Sequence, residues 1–130
     1  EDLVVHGDGE QSRCFCHVQD VVQALISLVD AGNCFGSIYN VGSTEEISIR
    51  ALAEQIVRQT GSSSQIRLIP YSEAYGEGFE DMRRRIPSID RIQNAVNWTP
   101  SHSMSEIIDD VVEEVKSRLS GGAVEDTVSF

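Results

Sequence analysis

Four stretches of the chain place apolar residues at helical spacing. In the first, Asp20 can cap a helix whose apolar face is Val21, Val22, Ala24, Leu25 and Leu28, with Gly32 as its stop. In the second, Ser48 precedes Ile49, Leu52, Ala53, Ile56 and Val57, and Gly61 supplies the terminus. A short third helix is expected from about Ile89 to Val96. The fourth opens on the capping box Ser103-Met104-Ser105-Glu106 and carries Met104, Ile107, Ile108, Val111, Val112, Val115 and Leu119 on one stripe, which reads as plain core.

Between and before these helices lie runs with strand character: Leu3–His6, Cys14–Val18, Ser37–Val41 and Gln65–Pro70. Helices alternating with short strands give an α/β or α+β pattern. The first two runs flank Gly7-Asp8-Gly9-Glu10-Gln11-Ser12, which resembles the start of a dinucleotide-binding loop but has Ser12 where a third glycine belongs and strand rather than helix after it. Asp-Gly between two strand-like runs predicts a hairpin turn instead of a phosphate cradle. Tyr71–Arg85 has two glycines and no period, and is expected to be a loop of about fifteen residues, long enough to be kept for a reason. Residues 1–119 are expected to form one lobe, and 120–130, rich in Gly, acidic residues and Ser/Thr, a disordered tail.

Charge narrows the function. With 10 basic and 21 acidic side chains the net charge is -11, which argues against a phosphate-tracking nucleic-acid surface. No apolar run approaches membrane-spanning length and no leader resembles a signal peptide, so a cytoplasmic protein is expected. Cys14, Cys16 and Cys34 form no C-x-x-C and read as reduced thiols, and neither a disulfide scaffold nor a zinc site is indicated. His6, His17 and His102 are scattered, and no P-loop, H-E-x-x-H, G-x-S-x-G or Tyr-x-x-x-Lys is present. Lys116 is the single lysine, so the positive charge is almost all guanidinium, the better fork for phosphate and carboxylate. Arg13 stands at the mouth of the Gly-rich turn, and Arg83-Arg84-Arg85 follows the long loop. Two readings of that run stand side by side: recognition of an anionic ligand, or a solvated cluster beside Glu77, Glu80 and Asp81.

Gly7-Asp8-Gly9-Glu10-Gln11-Ser12-Arg13-x-Phe15-x-His17-Val18-x-Asp20-Val21, Tyr39-Asn40-Val41-Gly42-Ser43, Ile47-Ser48-Ile49-Arg50-x-Leu52-Ala53, Arg85-x-Pro87-x-Ile89 and Trp98-x-Pro100 stand in this order from about Leu3 to about Val115. Together they resemble the C-terminal half of the NAD-dependent epimerase/dehydratase family, the extended short-chain dehydrogenases that act on sugar nucleotides, dTDP-glucose 4,6-dehydratases among them. Ser12-Arg13-Cys14-Phe15, Gly76-Glu77-Gly78-Phe79-x-Asp81 and Arg85-x-Pro87-Ser88-Ile89 look most like the UDP-glucuronate decarboxylases. The resemblance implies a small α/β lobe of about four helices with short strands, lacking the Rossmann half that carries the NAD fingerprint and the catalytic Ser/Thr, Tyr and Lys. It implies that Arg13 holds the nucleotide diphosphate. It also implies that Arg85 contacts the sugar and, in full-length decarboxylating members, takes part in proton transfer. Phe79 stands where one branch has a nucleotide-binding tyrosine, and Asn40 and Gly42 match the turn that closes the lobe. Cys14 replaces an Asp or Ser of many members, and Asn97 a glycine before Trp98.

The expectation is therefore a substrate-binding portion for a UDP- or dTDP-linked sugar, inactive by itself, binding no cofactor or metal, with NAD belonging to the full-length enzyme. Its protein partner would be the missing Rossmann portion, and the lobe face left exposed without it would favour self-association. The alternative is an interaction module that keeps the fold without the ligand.

Overall fold

The computed structural model describes residues 1–120, so the expected tail falls almost wholly outside the described residues. The elements run β1 (Leu3–His6), β2 (Ser12–Cys14), α1 (Val18–Asp30), β3 (Glu46–Ser48), α2 (Ile49–Thr60), β4 (Ile66–Ile69), α3 (Tyr71–Tyr75), α4 (Asp90–Val96) and α5 (Met104–Ser120). This is the expected mixed α/β class, with five helices where four were expected. No helix among the described residues is long and apolar enough to cross a membrane.

The expected hairpin does not form. β1 pairs in parallel with β4, Leu3 opposite Ile66 and His6 opposite Ile69, while β2 pairs antiparallel with β3 in a second two-stranded sheet. The Gly-rich turn instead serves helix α2. The carbonyls of Gly9 and Gln11 accept from the N–H groups of Arg50 and Ile49, and the Ser48 hydroxyl accepts from Ala51. Three of the four N–H groups that a helix start leaves unpaired are thus satisfied within the chain. Gly9 has φ +75°, and a Cβ there would stand 2.9 Å from the Arg50 Cβ, so both backbone angle and space require glycine.

Helix ends follow the sequence in three of four cases. Gly61 closes α2 in the left-handed region, α4 spans the expected third helix, and Ser103 and Glu106 form the reciprocal box that opens α5. In α1 the cap is His17, whose Nδ1 accepts from the Gln19 N–H, so the run read as a strand up to Val18 breaks after Cys14. Asp20 is not a cap. Buried in the first turn, it accepts from the Ser101 hydroxyl (2.7 Å), the His102 Nδ1 (2.9 Å) and the His102 backbone N–H (3.1 Å). Burial by itself would push this carboxyl up, yet those hydrogen bonds hold it at about 2. His102 stacks on His17 at 4.2 Å, and His17 Nε2 reaches Asp110 of α5, so this cluster ties α1 to α5.

The core gathers Ala24 of α1, Ile89, Ile92 of α4 and Trp98, with Cys16, Leu28, Tyr39, Val41 and Val96 packed around them. Ile92 is fully buried, which contributes about 1.5–3 kcal/mol. The Trp98 indole N–H donates to the Asp20 carbonyl at 3.0 Å. Ser37–Val41 contributes Tyr39 and Val41 to this core but has no ladder partner among the described residues, so the expected strand is absent and Ile38 is 78% exposed. The apolar stripes are less buried than expected. Of α5 only Met104 and Ile108 are buried, with Val111, Val115 and Leu119 exposed. On α1 the exposed residues Val18, Val22, Leu25, Ile26 and Val29 recur at helical spacing.

Candidate functional site

The loop between β2 and α1, the turn Asn40–Ser43 and the segment Arg85–Pro87 converge on an open cleft of about 510 Å³. Arg13, Cys14, Asn40, Gly42 and Arg85 all line it, so two arginines 72 positions apart in sequence, Arg13 and Arg85, face one space. The Asn40 side chain donates to the Ser88 carbonyl at 3.1 Å and ties the turn to the Arg85 segment. Phe79 lies elsewhere. It lines a second cavity of about 430 Å³ with Val4, His6, Gln11, Tyr71, Tyr75 and Asp81, and Arg13 borders this cavity as well.

The three arginines of the run have different fates, and the two that are paired meet carboxylates other than Glu77, Glu80 and Asp81. Arg83 pairs with Asp8 at 2.7 Å and Arg84 with Glu46 at 3.1 Å. The hydrogen bonds that Glu46 accepts from Arg84 and from the Ser12 hydroxyl hold its carboxyl below the ordinary range. Arg85 is exposed and has no carboxylate partner among the described residues, which leaves its fork open to a ligand. Arg13 is engaged throughout: one terminal nitrogen donates to the carbonyls of Ser12 and Met82, and the other donates to both oxygens of Asp81 at 2.7 Å.

Sequence reasoning left out the aromatic wall of the second cavity. Tyr75 and Phe79 lie 4.5 Å apart at 30°, Tyr71 is tilted against both, and His6 meets Tyr75 edge-on with Nδ1 2.8 Å from its hydroxyl. Tyr71 and Tyr75 stand four apart on α3, a spacing that was readable once that helix was assigned. Gln11 is buried beside the wall, and its amide N–H₂ donates to the His6 carbonyl at 3.0 Å.

Burial raises the Cys14 and Cys16 thiols, helped by the charges of Glu46 and Asp20 respectively, so neither is a thiolate nucleophile at neutral pH. Among the described residues no group of three or more His, Cys, Asp or Glu could hold a metal ion. The Gly-rich turn aims the Gly9 and Gln11 carbonyls at α2, and the N–H groups of Gly7, Glu10 and Ser12 donate within the chain.

Comparison with known proteins places this arrangement. The sequence model of the GDP-mannose 4,6 dehydratase family matches residues 1–111. A UDP-N-acetyl-alpha-D-glucosaminuronate decarboxylase of Bacillus cytotoxicus is 35% identical over 113 residues, covering 87% of this chain and 35% of that protein. The structure of RMD from Pseudomonas aeruginosa, complexed with NADPH, superposes with a TM-score of 0.72 at 30% identity, over 90% of this chain and 36% of that one. A UDP-glucose 4-epimerase from Thermotoga maritima, solved with UDP-glucose, shares the fold with a TM-score of 0.76 at 23% identity, over 92% and 36%. The chain thus spans about a third of the length of these relatives.

Proposed function

The chain belongs to the GDP-mannose 4,6 dehydratase family, among the NAD-dependent epimerases and dehydratases, and from that premise we propose that it is the substrate-binding portion of a sugar-nucleotide epimerase, dehydratase or decarboxylase. The observation that carries this reading is the convergence of Arg13 and Arg85 on one cleft, with Arg85 unpaired by any described carboxylate. In a protein of net charge -11, an open guanidinium at a cleft is a site for an anion. The diphosphate of a UDP- or dTDP-linked sugar meets the arginines, and the base lies against Phe79 and Tyr75, whose rings give a stacking surface. In the full-length enzyme Arg85 contacts the sugar and, where the reaction is a decarboxylation, takes part in proton transfer. NAD supplies hydride transfer there from a portion that the matched third does not include, so this chain by itself binds without turnover.

A second reading, an interaction module, is favoured by the exposed stripe Val18, Val22, Leu25, Ile26 and Val29 of α1, a face with no charged side chain. Within the first reading the same stripe is the docking face for the remaining two thirds of a full-length relative.

Ligand-observed NMR with UDP, dTDP and UDP-glucuronate, on the native chain and on Arg85→Ala, tests the proposal. Arg85→Ala breaks no ion pair among the described residues, so a loss of binding reports the ligand alone. Removing one charged hydrogen-bond partner should weaken binding by about 1.5–3 kcal/mol, tenfold or more. Binding by a folded chain that is indifferent to Arg85→Ala would overturn the assignment.

A further inference from the structure

The Arg13 guanidinium is a fork already filled. Asp81 takes one end in a bidentate pair with both contacts at 2.7 Å, and the carbonyls of Ser12 and Met82 take the other. A carboxylate gripped in this way has the charge and two-oxygen geometry of a phosphate edge. The pair is only partly covered, with 23% of the Arg13 side chain and 32% of the Asp81 side chain exposed. Arg13 also borders both cavities while Asp81 lines only the aromatic one, so the ion pair stands where the two spaces meet.

The segment that delivers Asp81 is a strap with glycines at one end and a pin at the other. Gly76 ends α3 with φ +94° and ψ 172°, a conformation open in practice only to glycine, and Gly78 has φ +84°. At the far end the segment is pinned, because the Ser12 N–H donates to the Arg83 carbonyl and Ser12 forms a bridge with Arg84. Between glycines and pin, its ties to the body are few. Asp81 and the Met82 carbonyl hold Arg13, Asp81 accepts from the Tyr71 hydroxyl at a long 3.4 Å, Phe79 leans on Tyr71 and Tyr75, and Arg83 pairs with Asp8.

We propose that Asp81 gates the site: its carboxylate stands in for the ligand phosphate on Arg13, and a nucleoside diphosphate binds only by displacing it, which turns the Asp81 side chain away from the junction of the two cavities while Phe79 stays on the aromatic wall and Arg83 stays pinned to Ser12. The inference rests on the reading of Arg13 as a diphosphate ligand. It adds a regulatory consequence, since occupation of the fork and opening of the junction become one event. The same carboxylate repels any anion that approaches while it remains in place, so small monoanions gain nothing from Arg13.

The test is calorimetric titration of UDP into the native chain, Asp81→Asn, Arg13→Ala and the double variant. Asp81→Asn should bind UDP at least tenfold tighter than the native chain, equivalent to 1.4 kcal/mol. The gain should vanish in the double variant. Unchanged or weaker binding by a folded Asp81→Asn overturns the gate. If Arg13→Ala weakens UDP while Asp81→Asn fails to tighten it, the gate alone fails. If Arg13→Ala leaves UDP affinity intact, the diphosphate reading fails with it, and so it does if no form of the folded chain binds UDP. Should the Asn variant not fold, NMR of the native chain decides: the guanidinium protons of Arg13 must lose their contact with Asp81 as UDP is added. Survival of that contact at saturating UDP overturns the proposal.

Discussion

Replacing Asp20 by asparagine tests how the lobe is held together. The carboxylate accepts three hydrogen bonds from Ser101 and His102, with its side chain 5% exposed, and its backbone carbonyl accepts from Trp98. Its carboxyl is held at about 2 against an ordinary value of 3.8. At 1.36 kcal/mol per pKa unit, this difference gives the charged form ~2 kcal/mol of preference for the folded state. Because the folded value lies below the unfolded one, that stabilisation is complete above about pH 4–5 and is lost as pH falls toward 2. Asparagine keeps one acceptor oxygen but neither the charge nor its titration. Urea unfolding of both proteins at pH 7, 4 and 2 should therefore give a stability gap of ~2 kcal/mol that narrows and closes across the series. Asp8 and Glu46 are also held below their ordinary values, but Asp20 does not act on them and they cancel in the difference, while on Glu106 the Asp20 charge is the smallest of the causes. A gap of the same size at pH 7 and pH 2, or one below about 0.5 kcal/mol at pH 7, would refute the reasoning.

Two further expectations concern backbone and surface. Gly9→Ala and Gly61→Ala both place a side chain at positive φ, but only at Gly9 does the new Cβ meet an obstacle, so Gly61→Ala should cost about 1 kcal/mol and Gly9→Ala clearly more, read by thermal unfolding. Light scattering of the chain alone should show self-association through the bare α1 stripe, and Leu25→Glu, at 55% exposure, should return it to monomer without loss of stability; a native monomer across the concentration range would count against the face.

The sequence was most informative where structure is decided locally. Ser48, Gly61 and the Ser103–Glu106 box act within a single turn of their own helix, and all three stand where pattern placed them. It misled where a local signal had a distant owner. Asp8-Gly9 has hairpin chemistry, but the flanking strands find partners at Ile66–Ile69 and Glu46–Ser48, and the turn is claimed by α2. Asp20 has the chemistry of a cap, yet its partners lie 81 and 82 positions away, beyond any window in which pattern operates. Ser37–Val41 has a strand pattern that the described residues do not complete with a ladder. At the site, the resemblance brought Arg13 and Arg85 forward and the cleft unites them, but Asp81, seen only as part of the Gly76–Asp81 stretch and of the acidic cluster, gave no sign that it would clasp Arg13, 68 positions away. The aromatic wall was hidden because α3 is only five residues long.

The parallel pairing of β1 with β4 also constrains how the chain can reach this state. Leu3 and Ile66 are about sixty residues apart, and α1, β3 and α2 lie between them, so their ladder closes the largest loop in either sheet. Each doubling of loop length adds about 0.6 kcal/mol of closure entropy, and contacts of such separation slow the search for the native state. Among the described residues, therefore, the ladder of Leu3–His6 cannot form until Ile69 has been made, whereas that of Ser12–Cys14 needs only Ser48. Of the two described sheets, the one that holds the strand read first is the later to close.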